Sequence, residues 1–313
     1  MQKNTQKTTS VWGDLNYFNK FNKQNYSLTT IFIIVLFIIL NFSFDSKDMF
    51  SYTAGVYINI LIYILFAVSL NIAVGLMGQL SLGHAGFIAI GGYTAALISK
   101  SMVAANLPAF VQLLISSIIG GIVAAVFGFL LGASTLRLRG DYLAIITLAF
   151  GEIIRVLIEY LKFTGGAQGL TGIPRVNNFT LIYVITIFSV IFMYSIMTSR
   201  HGRAVLAIRE DEITSGASGI NTTYYKTFAF VLSAIFAGIA GGIYAHNLGI
   251  LGAKQFDYNY SINILVMVVL GGMGSFTGSI LSAIVLTILP EVLRSFAEYR
   301  MIVYPLILII MML

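Results

Sequence analysis

The sequence has no cysteine, only three histidines, and charged residues at just 10% of its 313 positions. Without cysteine there can be no disulfide and no thiolate metal site, though compartment is left open. No cluster of His, Asp and Glu has metal-ligand spacing, and no nucleophile stands beside a plausible base. A Walker-type phosphate loop is also missing. The stretch TGGAQGLTGIP (164–174) is glycine-rich, but it has no Lys-Ser or Lys-Thr ending and does not run from strand to helix, so it reads as a shaped loop capping the membrane. These absences argue against an enzyme whose chemistry resides in this chain alone: no cofactor and no catalytic residue is expected in it.

What is present is apolar. Hydrophobic residues make up 58% of the chain, and the mean hydropathy is +0.90. That much apolar surface could not be hidden in one soluble core. A helix needs about 20 mostly apolar residues to span a bilayer. Candidate runs lie at 28–44, 52–74, 84–99, 109–134, 142–161, 181–198, 227–248, 262–293 (broken near its middle) and 302–313. The runs are continuous rather than alternating, which excludes a transmembrane barrel. The expected fold class is therefore all-α: a polytopic helical membrane protein with about nine or ten transmembrane or re-entrant helices. A polar tail, 1–27, precedes the first run, and no small-residue cleavage pattern follows it, so that run reads as a retained helix. The remainder, 28–313, reads as one transmembrane domain.

The net charge of +6 fits the basic loops of a membrane protein better than nucleic-acid binding. Lys3, Lys7, Lys20 and Lys23 in the tail, Arg137 and Arg139 in one short loop, and Arg200, Arg203, Arg209 and Lys226 in another fall on one side if each early run crosses once. Lys47, Lys100, Lys162, Arg175 and Lys254 fall on the other. Ten against five places the N-terminus and the 199–226 interval in the cytoplasm. Beyond residue 248, the broken run could cross once or fold back.

Two segments are rich in glycine. Residues 74–93, VGLMGQLSLGHAGFIAIGGY, and residues 269–284, VLGGMGSFTGSILSAI, contain the weakly similar stretches MGQLSLG and MGSFTG. Gly-interrupted apolar segments at corresponding positions point to a transport pathway, with Gly75, Gly78, Gln79, Ser81, Gly83, His84, Gly272, Gly274, Ser275 and Gly278 as its candidate residues. Close helix packing is an equal alternative for the glycines. His84 reads as a hydrogen-bonding strut rather than a proton relay. The run 142–161 carries Glu152, Arg155 and Glu159 at spacings of three and four, on one helical face where they can neutralise one another. A structural set of ion pairs facing other helices is favoured there over a coupling-ion site.

The interval 199–226, SRHGRAVLAIREDEITSGASGINTTYYK, interrupts the apolar runs with charge. Leu206, Ile213, Ala217 and Ile220 fall on one face of a helix, or of two short helices bent near Gly216 and Gly219. Arg209, Glu210, Asp211 and Glu212 occupy the other face. Consecutive acids disfavour an anionic lipid surface, so docking into a groove of a cytoplasmic protein is expected.

Together with GLMGQLSLGHAGFIAIGGY, LRLRGDYLAIITLAFGEIIRVLI, TGGAQGLTGIP and VVLGGMGSFTGSILSAI, this interval resembles the LivM-like permeases of bacterial branched-chain amino-acid ABC importers. The resemblance covers about residues 56–293. It implies a permease half in a bacterial inner membrane, paired with a homologous second permease. Two cytoplasmic ATPase subunits holding ATP and Mg would drive it, and an external solute-binding protein would supply substrate. Residues 199–226 would be the coupling loop, touching an ATPase subunit through Arg209, Glu210, Asp211, Glu212, Ser215, Gly219, Ile220 and Asn221. Glu212 stands one residue earlier than the coupling pattern of many importer permeases expects. Urea permeases resemble the chain through the same motifs, so urea or a small amide is the alternative cargo. An ion-coupled carrier relying on Glu152 is a third reading. Family members usually continue into a polar cytoplasmic end, so a longer parent chain is expected beyond Leu313.

Overall fold

The computed structural model describes residues 52–103, 108–135, 140–176 and 178–293. The polar tail, the runs 28–44 and 302–313, and the loop arginines Arg137 and Arg139 lie outside the described residues. Within these residues the chain forms helices α1 (Tyr52–Asn71), α2 (His84–Val103), α3 (Ala109–Thr135), α4 (Asp141–Tyr160), α5 (Phe179–Thr198), α6 (Arg200–Glu210), α7 (Glu212–Ala217), α8 (Thr222–Leu248), α9 (Tyr258–Leu270) and α10 (Phe276–Val292). Among the described residues there is no strand, only an isolated bridge between Leu170 and Leu251. The all-α polytopic expectation holds. Among the described residues, five helices are long and apolar enough to cross a membrane: Ala54–Leu76, His84–Val103, Ala109–Ser134, Phe179–Thr198 and Thr222–Leu248. Helix α4 has 20 residues, about 30 Å of rise, but carries the three expected intramembrane charges.

Helix starts follow local side-chain chemistry. From α5 to α10, Asn178, Ser199, Asp211, Asn221, Asp257 and Ser275 each accept a backbone N–H from the first turn of the helix that follows. Such caps satisfy donors that would otherwise be orphaned.

Helix α8 is central, packing on α3, α2 and α1. In lipid no hydrophobic force drives helices together, so close contact depends on small residues. A Cβ on Gly91 would lie 2.2 Å from Gly238 Cα, and one on Gly241 would lie 2.2 Å from the Ile88 carbonyl oxygen. Rings of Tyr63, Phe66, Tyr244, Phe256 and Tyr260 fill the space where α1, α8 and α9 meet, at centroid separations such as 6.0 Å for Phe66–Tyr244.

The two ends of the bundle are distinct. At one, Gly140 and Asp141 share a cleft with Met77 to Leu80, Ile208, Arg209, Glu212 and Lys226. At the other, Lys100 Nζ donates to the Thr171 carbonyl at 2.8 Å, Arg175 Nε to that of Leu248 at 3.1 Å, and Leu170 bridges Leu251. The loop TGGAQGLTGIP thus covers that second end. Alternate crossings from residue 84 to 248 require this separation.

Beyond residue 248 the chain folds back. Helix α9 descends to Gly271, and α10 returns antiparallel to it. The Ser282 hydroxyl donates to the Met267 carbonyl, and Gly271 and Gly278 touch backbone to backbone. Helices α1 and α2 are likewise joined through a break, a π-helical turn (Ile72–Leu76) followed by non-helical residues 77–83, but α1 packs on α10, α8 and α5 rather than along α2.

Candidate functional site

The interval between α5 and α8 is built from short local devices. Asp211 leaves α6 with extended backbone, φ −153° and ψ 109°. Its Oδ1 accepts from the N–H groups of Ile213 (2.9 Å) and Thr214 (3.1 Å), and its Oδ2 accepts from the Thr214 hydroxyl (2.6 Å). These donors, the Thr214 hydroxyl foremost, hold the Asp211 carboxyl below its usual pKa. Helix α7 then runs for only six residues. Gly219, at φ +85°, closes it with a Schellman pair: Ile220 N–H to the Ser215 carbonyl (3.1 Å) and Gly219 N–H to that of Gly216 (3.0 Å). Two residues after Gly219, Asn221 caps α8 through Tyr224 N–H at 3.1 Å. The Gly-Ile-Asn sequence therefore ends one helix and starts the next.

The expected apolar face is corrected here. Gly202, Val205 and Ile208 of α6 and Ser215 of α7 are the buried residues; Ala217 is exposed, and Ile213 is 74% exposed. The bend falls at Asp211, not near Gly216 and Gly219. An extended residue between two helices resets the helical phase, so spacings counted across it do not define one face.

Glu212 is turned inward. Its carboxylate meets Lys226 Nζ at 2.8 Å, with the lysine side chain 4% and the glutamate 29% exposed. The one-residue offset of this acid thus has a structural reason, since it ties α7 to the start of α8. Glu210, Asp211, Gly219 and Asn221 are exposed, Ile220 is half-buried, and Ser215 is buried.

Arg209 is exposed as a residue, but its head group reaches the first break. Its Nη1 donates to the Gly75 carbonyl at 2.7 Å. That carbonyl belongs to the last turn of the broken first hairpin, where acceptors lack helical partners. The second break lies alongside. Asn71 Oδ1 accepts from Gly274 N–H at 2.8 Å, and Asn71 Nδ2 donates to the Ser275 carbonyl at 3.2 Å. A Cβ on Gly75 would lie 2.3 Å from Gly274 N. The two similar stretches are therefore neighbours, stitched by one fully buried asparagine.

The remaining candidates divide. Gly75, Gly83 and Gly278 are in backbone contact, with a Cβ on Gly83 falling 2.1 Å from the Thr147 carbonyl. Gly78 and Gly272 are exposed, and both have positive φ, +73° and +85°. Gln79 lines the cleft, whose volume is about 450 Å³, and its Oε1 has no hydrogen-bond partner. Ser81 is buried. His84 is 1% exposed and meets Ser69 Oγ at 3.0 Å; Ser69 in turn donates to the Phe66 carbonyl. That geometry is a strut between α2 and α1.

On α4, Arg155 bonds Glu152 at 2.7 Å and Glu159 at 3.1 Å, with side chains 23–29% exposed. Glu152 Oε1 also accepts Tyr258 N–H at 2.9 Å, serving the start of α9. Among the described residues no group of His, Asp and Glu could hold a metal ion.

Asn71 and Ser69 were not singled out from the sequence. Their only signal there is a polar residue inside an apolar run, as in AVSLNIAVG.

Helices that cross a membrane, two broken hairpins meeting at their tips, and a charged helical interval attached to those tips define a polytopic membrane protein of the transporter type. The chain belongs to the family described as branched-chain amino acid transport system / permease component, which matches residues 52–312. Over 287 residues it is 39% identical to the high-affinity branched-chain amino acid transport system permease protein LivM of Escherichia coli (strain K12), and 36% identical to the LivM protein of Salmonella typhimurium. Each match takes in 80% of this chain and 66% of the relative, so the chain spans just under two thirds of those relatives' length. The permease protein LivH of E. coli K12 is 23% identical over 273 residues, 80% of this chain and 88% of the relative. No solved structure matches the chain.

Proposed function

We propose that this chain is a permease subunit of an ATP-driven importer for branched-chain amino acids, working beside a homologous second permease. Two cytoplasmic ATPase subunits bind and hydrolyse ATP with Mg, and an external solute-binding protein delivers the amino acid. The N-terminus and the 199–226 interval face the cytoplasm, as the excess of basic residues on that side supports.

The observation that carries this reading is the attachment of the docking interval to the first broken hairpin through Arg209 and Gly75, and of that hairpin to the second through Asn71 and Gly274. An ATPase that grips the exposed side of α6 and α7, around Glu210, Asp211, Ile213 and Gly219, holds a handle on the parts of the bundle best able to move. Non-helical backbone inside a membrane is tolerated where it is buried or lines a wet cavity. The cleft beside Gly78 and Gln79 is where such a cavity opens toward the cytoplasm. Glu152 is held by Arg155 and by Tyr258, a structural arrangement that leaves an ion-coupled carrier without its acid.

Uptake of labelled leucine and labelled urea into proteoliposomes holding the co-purified complex, with and without internal ATP and external binding protein, tests the reading. ATP-dependent leucine uptake is expected. ATP-dependent uptake of urea alone replaces the cargo, and uptake driven by an ion gradient without ATP overturns the reading. Gly219→Arg is expected to abolish uptake by blocking docking while membrane insertion stays normal.

A further inference from the structure

We propose that Arg209 is the positioning residue through which movement of the docking helices reaches both broken hairpins. The inference rests on the importer reading and assigns the head group of this otherwise exposed arginine to the breaks rather than to the ATPase.

Arg209 is the penultimate residue of α6, two positions before the cap of α7, so it moves with whatever grips that bend. Its side chain leaves the docking interval and ends among three glycines. The stem lies on Gly78, where a Cβ would come 2.9 Å from Arg209 Cγ. The head donates to the Gly75 carbonyl at 2.7 Å. The same Nη1 would lie 2.8 Å from a Cβ on Gly274. Gly75 and Gly78 belong to the first break and Gly274 to the second, so one guanidinium touches both.

Two features make this a link rather than a simple helix cap. An arginine that only satisfies a terminal carbonyl needs one acceptor and no shaped seat. Here both breaks present glycine where any side chain would crowd the arginine. In addition, Asn71 joins the second break to the first through Gly274 and Ser275. A pull on Gly75 is therefore shared by both hairpin tips, and α6 cannot shift without dragging them or breaking the Arg209 bond. A planar guanidinium holds such a position better than a flexible ammonium.

The test uses the complete importer in proteoliposomes, reading leucine transported per ATP hydrolysed and the amount of assembled complex. Arg209→Ala is expected to assemble with the ATPase subunits and hydrolyse ATP, while leucine per ATP falls about tenfold or more, the scale of about one lost charged hydrogen bond. Arg209→Lys, which keeps a cationic donor, is expected to recover part of that ratio. An unchanged ratio per assembled complex, even with less complex present, overturns the proposal and leaves Arg209 a structural cap. Should Arg209→Ala fail to assemble, Gly78→Asn keeps the arginine and crowds its stem with a residue that tolerates positive φ; a lowered ratio supports the link, and an unchanged one overturns it.

A second measurement does not depend on uptake. The chain has no cysteine, so Arg203→Cys, exposed on α6 away from the gripped bend, and Met273→Cys, 53% exposed, can carry a spin-label pair in partners lacking reactive cysteine. Their separation should stay the same between ATP-free and ATP-trapped states, and should change between those states only when Arg209 is Ala. Equal behaviour with and without the arginine overturns the link. Absence of ATP-driven leucine uptake in the unmodified complex counts against the importer reading instead.

Discussion

Glu212→Gln should loosen α7 far more than Lys226→Met does, although both remove the same ion pair. The asymmetry comes from burial: the lysine side chain is 4% exposed and the glutamate 29%. Removing one partner of a fully buried pair costs about 3–5 kcal/mol, because the other charge is left stranded. Here Glu212 is open enough for water to reach the pair, which reduces the cost to about 2 kcal/mol for the glutamine variant. In Lys226→Met the stranded group is the glutamate, which can turn to solvent, so the loss is about 0.5 kcal/mol, as for an exposed pair. A helix as short as α7 has no stability of its own, so the loss should register as local opening. Amide hydrogen exchange across Ile213 to Ala217 is therefore expected to accelerate about 30-fold in Glu212→Gln and about twofold in Lys226→Met. Amides of α8 beyond Ala229 should be unaffected. Equal acceleration in the two variants, or a larger effect from Lys226→Met, would refute the burial argument.

Gly91→Ala places a methyl 2.2 Å from Gly238 Cα and should destabilise the protein by about 1–3 kcal/mol. Gly55→Ala, with nothing within 4 Å of the new carbon, should raise stability by up to about 1 kcal/mol; thermal melting in detergent separates the two signs. Because the Asp211 carboxyl is held below its usual pKa, its contribution to α7 is complete above the ordinary aspartate range and lost as pH falls through the depressed value. Protection of α7 amides relative to their intrinsic exchange rates should thus fall at acid pH in the native chain and lose that dependence in Asp211→Ala. Glu152→Gln weakens both the Arg155 pair and the Tyr258 bond, so it should lower the amount of folded protein more than turnover per molecule. Intact abundance with collapsed turnover would return a coupling role to this acid.

Much of the architecture is legible in the sequence because the membrane makes it so. Long apolar runs must become helices where no water can satisfy the backbone, and basic residues sort the loops by side. The helix boundaries within the 199–226 interval are also local: Asp211, Gly219 and Asn221 set them with bonds to residues no more than five positions away. What the sequence left open depended on partners far along the chain. The apolar periodicity of 199–226 read as one face because nothing local announces that Asp211 is extended. The weak similarity of MGQLSLG and MGSFTG did not reveal that the two breaks touch, since the Asn71 bonds to Gly274 and Ser275 span more than 200 positions. Whether residues 262–293 crossed or returned turned on the packing of Gly271 against Gly278 and of Ser282 against Met267. Glycine's role was ambiguous for the same reason, because a residue without a side chain takes its meaning from what occupies the space beside it. Composition and spacing therefore determined the membrane class and the local turns, while tertiary contact alone decided which charges turn inward and what they hold.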